Sequence, residues 1–401
     1  MIREELILNT FAYNLRKPFV IVVLIFFAWN NAVAVTPNKA LPSKAPSFEV
    51  DPYWPQPLPN HWVLGSAVGV GVDSRDHVFV IHRRNSFSER NEIGAATIPK
   101  TADCCTPAPN ILEFDPEGNL VNSWGGPGEG YSWPTSNHGL TLDHKDNIWI
   151  GGNGSKDSHI LKFTRSGKFL QQIGIPGLER DSLSTKQFGR VAKVSFDAAA
   201  NEAYVADGYA NKRVVVLDAD SGAFKRFWGA YGNKPDDTDL GQYDPSEPLA
   251  QQFRNPVHCA EPSLDGLVYV CDRVNNRIQV FKSDGSFVKE KQIAPLTLGD
   301  GSIWDITFSK DRAQKYLLVA DGKNQKIYIL DRDSLSVLTS FGDGGRQPGQ
   351  FFAVHSIATD SKGNIFTTET YEGKRVQKFK YKGLKKIKEI EQGTPWGSKR
   401  R

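Results

Sequence analysis

The chain has 401 residues, 39% hydrophobic and 23% charged, with 36 Gly, 23 Pro and 9 Trp against a single Met. Its 49 basic and 45 acidic residues leave a net charge of +4, which provides no sequence-wide basic field and excludes nucleic acid as a bulk electrostatic partner. The apolar fraction excludes intrinsic disorder, the Gly, Pro and aromatic content excludes a helical bundle, and the length allows one large domain or two.

An address comes first. Arg16 and Lys17 precede Pro18, and an unbroken apolar run of 11 residues extends from Phe19 to Trp29. Ala32 and Ala34 then frame a small-residue cleavage site. The run is short for a bilayer span, so residues 1–34 read as an export signal rather than a membrane anchor. From about Val35 onward the chain is expected to be secreted or periplasmic, with no membrane attachment beyond that signal. Pro37 to Pro59 mark residues 35–60 as an extended, Pro-rich linker. Four cysteines follow, Cys104, Cys105, Cys259 and Cys271, and their spacing leaves the pairing open. Adjacent Cys104 and Cys105 are not expected to join, because ordinary disulfide geometry holds its Cα atoms farther apart than neighbours sit.

From about residue 61 one pattern recurs six times, with copies beginning at Val68, His138, Val191, Val257, Trp304 and Val354. Each copy has three alternating runs of β-branched and aromatic residues, separated by D-x-x-G/D-N turns and a second D-G or S-G turn. Period-two alternation between such turns predicts strands. A repeat of about forty residues with several strands is the mark of propeller blades, none of which can bury its faces alone. The expected fold is an all-β, six-bladed β-propeller over residues 61–381. Two separate β-sandwiches leave the sixfold recurrence unexplained. Asn85 to Pro109 read as an insertion in blade 1, and residues 382–401 as a basic, solvated tail.

The first strand of a propeller blade lines the central channel, and its start shares a face of the disc with the end of the second strand. Aligned on the turn Asp, the first-strand starts are Val68, His138, Ala192, His258, Trp304 and His355. Three of the eight histidines therefore occupy one repeat position, in blades 2, 4 and 6. Alternate blades of a six-fold ring stand about 120° apart, so three imidazoles point at the axis together. Three neutral His ligands with an open fourth position suit catalytic zinc. His61, His77, His82, His144 and His159 fall in turns or strand ends and read as structural, with His82 closest to this chemistry through its neighbour Arg83. The second-strand ends add Arg83, Tyr209 and Arg273. A guanidinium there can hold a carboxylate bidentately, and a tyrosine beside zinc and cations can act as a general base. Asp207, Asp272 and Asp321 recur within the second strands and read as blade-stabilising carboxylates.

At these residues the chain resembles peptidyl-α-hydroxyglycine α-amidating lyase, a six-bladed propeller family related to NHL-repeat proteins. The similarity runs from about Trp62 to Phe379 through GVGVDSRDHVFVIHR, HGLTLDHKDNIWI, YVADGYANKR, VHCAEPSLDGLVYVCDRVNNRIQVF and VHSIATDSKGNIF. The resemblance implies zinc on His138, His258 and His355, a catalytic role for Tyr209, and active-site arginines at Arg83 and Arg273. It further implies a structural calcium held by the backbone carbonyls of Val70 and Leu140 and by an Asp after the third histidine. That position is Ser356, so a carboxylate ligand is missing and calcium is in doubt. The family's cysteine beside the tyrosine is Ala210, and its disulfide is absent. No copper-monooxygenase sequence accompanies the repeats, so the substrate need not be a peptide-hormone precursor.

The implied reaction is cleavage of a carbinolamide C–N bond to an amide and an aldehyde acid such as glyoxylate. The substrate would be a small or peptide-like molecule bearing a carboxylate. Two other readings stay open on the same scaffold, a non-catalytic exported propeller that binds a protein or glycan and a different metal-dependent hydrolase or lactonase.

Overall fold

The computed structural model describes residues 42–177 and 179–397. The export signal expected at residues 1–34 lies outside the described residues. Six four-stranded antiparallel sheets follow one another in chain order. Blade 1 comprises Ser66–Val72, Val78–Arg83, Ile111–Phe114 and Leu120–Trp124. Blade 2 runs from Asn137–Leu142 to Phe169–Gly174, blade 3 from Val191–Asp197 to Phe224–Trp228, and blade 4 from Val257–Pro262 to Phe287–Gln292. Blade 5 runs from Asp305–Phe308 to Val337–Phe341, and blade 6 starts with Val354–Thr359 and Ile365–Glu369. The innermost strands of blades 1 to 6 touch in cyclic order, the last against the first, which closes a six-bladed propeller.

Hydrophobic cores lie between the blades. Each of the six buried clusters draws on two adjacent sheets, such as Tyr204 and Trp228 of blade 3 with Val270 and Phe281 of blade 4. Inner strands are therefore buried on both faces, whereas an outer strand such as Leu120–Trp124 is only half-buried. The recurring turn motif has a direct physical cause. Asp73, Asp143 and Asp360 each accept backbone N–H groups two and four residues onward, at 2.8–3.0 Å. Those bonds hold the tight reversal between the first and second strands.

Three expectations are corrected. Part of the segment read as a linker is a strand, since Lys44–Asp51 pairs antiparallel with Arg375–Lys386 and forms the outer strand of blade 6. Pro46 is tolerated there because an edge strand leaves one row of backbone groups unpaired. The tail is not free either: Ser340 donates to the Ile390 carbonyl at 2.6 Å and Gln392 to the Ser340 carbonyl at 2.9 Å, along the outer strand of blade 5. Cys104 and Cys105 do form a disulfide, across a cis peptide that brings their Cα atoms to 3.1 Å. Cys259 and Cys271 join across the ladder of blade 4, at a directly paired position. Among the described residues no helix is long and apolar enough to cross a membrane.

Candidate metal centre and channel mouth

A bulge marks the start of the first strand in five of the six blades, interrupting pairing between Ala67 and Gly69, His138 and Leu140, Val191 and Lys193, Val257 and Cys259, and Val354 and Ser356. An extra residue in a strand re-aims its side chain. His258 and His355 are themselves the unpaired residues, and His138 immediately precedes one. The three imidazoles meet in the channel with ring centroids 5.2, 4.7 and 4.9 Å apart, a nearly equilateral arrangement. Their nearest ring nitrogens all lie within 4.8 Å of one another.

Their surroundings fix their chemistry. Nδ1 of His138 lies 2.8 Å from the Ala192 carbonyl, and Nδ1 of His258 bonds the Trp304 carbonyl. A carbonyl only accepts, so in both rings Nδ1 carries the proton and donates. Nδ1 of His355 lies 3.0 Å from Ser356 Oγ, whose own hydroxyl donates to the Val68 carbonyl at 3.2 Å, so this imidazole also donates. Each ring therefore presents a bare Nε2 to the channel. Burial, together with the Arg83 and Arg273 guanidiniums, lowers the pKa of His138 to about 3. Burial followed by neighbouring charges holds His258 and His355 well below the usual imidazole range. Three neutral imidazoles with fixed tautomers are a donor set that fits zinc.

The second-strand ends converge on the same mouth. Tyr209 Oη lies 2.9 Å from His138 Nε2 and 3.0 Å from His258 Nε2. Arg273 is buried, stacks 4.4 Å over Trp304 and reaches Tyr209 Oη through NH1 at 3.5 Å. Its Nε donates to the Asp300 carbonyl at 2.8 Å and NH2 to the Asp300 carboxylate at 3.2 Å. Arg83 donates to the Asn137 carbonyl at 3.2 Å and to Asn153 Oδ1 at 2.9 Å. Among the described residues no carboxylate pairs with Arg83. Asp300, Asn153 and Tyr371 complete the rim, and Tyr371 has its ring 6.3 Å from Trp304. Reading blades 2 and 6 at the second-strand end yields Asn153 and Tyr371 by the same rule that yields Arg83 and Tyr209. Asp300 sits in a Gly299–Asp300–Gly301 loop and has no repeat counterpart.

The remaining expectations sort themselves by their bonds. His82 accepts from the Gly65 N–H at Nδ1 and bonds the Pro109 carbonyl at Nε2, at 3.1 and 2.8 Å, beneath the mouth. Asp207 and Asp272 hold buried Arg213 and Arg277 at 2.8 and 2.7 Å, and Asp321 holds Asn324 at 2.7 Å. A second ligand-like group, Asp73, His77 and Glu113, is filled by the Arg165 guanidinium, whose Nε lies 2.7 Å from Asp73 and whose NH2 bonds Glu113. Calcium does not fit: where a carboxylate is expected, position 356 offers a Ser hydroxyl already committed at both ends.

The fold and site thus define a six-bladed propeller with a three-histidine cluster beneath a mouth bearing a tyrosine and two arginines. No family model matches the chain. The chain is similar to NHL repeat-containing protein 3 of Mus musculus, at 25% identity over 353 residues, covering 83% of this chain and 84% of that protein. It is similar to peptidyl-alpha-hydroxyglycine alpha-amidating lyase 1 of Drosophila melanogaster, at 25% identity over 356 residues, 83% of this chain and 60% of that protein. It also matches peptidyl-glycine alpha-amidating monooxygenase A of Xenopus laevis at 26% identity over 247 residues, 57% of this chain but 22% of that longer protein.

Proposed function

We propose that this protein is an exported, zinc-dependent lyase that cleaves a carbinolamide bearing a carboxylate into an amide and glyoxylate. One observation carries the reading: the Tyr209 oxygen lies 2.9 and 3.0 Å from Nε2 of His138 and His258, at the face those rings would offer a metal, in a mouth that also holds Arg83. The similarity to the Drosophila lyase along 83% of the chain supports it. Zinc held by His138, His258 and His355 would supply Lewis acidity toward the substrate hydroxyl.

The chain's own groups do the rest. Arg83, which pairs with no carboxylate among the described residues, holds the substrate carboxylate and thereby orients the carbinol carbon. The Tyr209 oxygen accepts the hydroxyl proton while its own phenolic proton passes to the nitrogen, as the C–O bond becomes a carbonyl and the C–N bond breaks. The departing amide nitrogen keeps the bonding pair and takes that proton from Tyr209, so the cleavage is redox-neutral and needs no co-reactant. Arg273, pinned by Asp300 and stacked on Trp304, fixes the tyrosine oxygen in place.

The test supplies α-hydroxyhippurate and follows glyoxylate. Wild type should hold about one zinc per chain and release glyoxylate, His258→Ala should lose the metal, and Tyr209→Phe should lower kcat on the order of 10²–10⁴-fold while keeping it. A zinc-loaded wild type that releases no glyoxylate overturns the lyase reading in favour of a hydrolase or lactonase. A wild type that binds no metal leaves the binding propeller.

A further inference from the structure

The residue just after the ring position is Gly69, Gly139, Lys193, Cys259, Asp305 and Ser356 in blades 1 to 6. The carboxylate absent at Ser356 is thus present one blade earlier, at Asp305, and it already has a cation. Lys193 Nζ lies 2.8 Å from Asp305 Oδ1 and 2.6 Å from Glu261 Oε1. All three side chains are largely or wholly buried, with exposures of 11%, 2% and 17% for Lys193, Asp305 and Glu261. Their remaining capacity is met from neighbouring blades. Ser195 donates to Glu261 at 2.7 Å, and the backbone N–H groups of Ile306 and Ile357 donate to Asp305 at 2.9 and 3.0 Å. Four consecutive blades, 3 to 6, meet on this one cluster.

We infer that the Lys193 ammonium is the resident cation of the channel, binding the carboxylates of Glu261 and Asp305 in the role a divalent ion would otherwise fill, so that this ring closes without calcium. The inference rests on the cluster alone and stands whether or not the site above is a lyase. Two buried carboxylates within reach of one point need a positive charge between them, and leaving them unpaired is strongly destabilising. A lysine supplies that charge covalently, independent of solution calcium. The bulge between Val191 and Lys193 is what turns this side chain inward beside the ring position.

The experiment uses the full-length protein and reads melting temperature and calcium uptake. Wild type should take up no calcium in equilibrium dialysis at about 1 mM, a level that fills extracellular calcium modules. Its melting temperature should stay the same in calcium or in EGTA. Lys193→Ala uncovers the two carboxylates. It should melt lower and regain stability as calcium is added, whereas Lys193→Ala combined with Glu261→Gln and Asp305→Asn should ignore calcium. Stoichiometric calcium uptake by wild type, or a melting temperature that EGTA lowers and calcium restores, overturns the inference. So does a Lys193→Ala protein as stable as wild type. Should Lys193→Ala fail to fold, the wild-type dialysis decides alone, with Lys193→Arg expected to fold and remain indifferent to calcium.

Discussion

At the channel mouth, Arg83 and Arg273 differ in what else they touch, and that difference assigns them different kinetic signatures. Arg273 spends its donors on Asp300 and Tyr209, whereas among the described residues Arg83 bonds an amide oxygen and a backbone carbonyl. Arg83→Ala should therefore raise KM by about 10–100-fold, the worth of a charge-assisted hydrogen bond, with kcat changed much less. Arg273→Ala should lower kcat instead, because it frees the tyrosine oxygen. Steady-state kinetics on both variants checks the split, and the reverse pattern would reassign the carboxylate to Arg273. His82 makes a pH prediction. Burial, the largest cause, lowers its pKa to about 4, while the unfolded chain titrates near 6.5. Both states are neutral above that value. Between about 6.5 and 4 only the unfolded state gains the proton, so stability is lost as pH falls through this window, by up to on the order of 3 kcal/mol. His82→Gln should lose less stability between pH 7 and pH 4.5 in denaturant titrations. The three histidines were legible in the sequence because they share one repeat position. Lys193, Glu261 and Asp305 were not, because each occurs in one blade only and, for Lys193, a bulge decides that it faces the channel.

Strands within a blade arise from alternation and turn chemistry, but Lys44–Asp51 does not. Its partner Arg375–Lys386 lies at the far end of the sequence, and a Pro-rich neighbourhood hides its short β pattern. The stretch just after this strand is structural as well. Trp54 is buried between Phe114 of blade 1 and Phe366 of blade 6, with ring centroids 5.6 and 4.9 Å away. It plugs the seam where the ring closes. Trp54→Ala should destabilise the protein by about 3–5 kcal/mol, measured by chemical denaturation. An equal change in a surface aromatic such as Tyr53 should cost far less. The insertion of blade 1 was legible as a break in the repeat, and the structure gives it a short 3-10 turn, Gly94–Ala96, and the pair Thr106–Pro107, which lies parallel to Trp62–Val63. Its disulfide was not legible, because the distance rule for ordinary disulfides does not cover adjacent cysteines joined across a cis peptide.

Across the whole molecule, six weakly similar segments suffice to specify a ring, since each sheet is apolar on both faces and only another sheet can cover it. The number of blades was therefore readable from the repeat count. The closing device was not, because its added strand, Lys44–Asp51, lies outside the six repeats. That device sets an order of events during synthesis. The first imidazole arrives with blade 2 and the third only with blade 6, the sheet that also receives Lys44–Asp51. A nascent chain carrying five blades has an open ring, an outer strand without its partner and two of three imidazoles. Any product terminated before blade 6 is thus left without both its closure and its complete histidine cluster. A product truncated there would lack one of the three imidazoles that the proposed metal site requires.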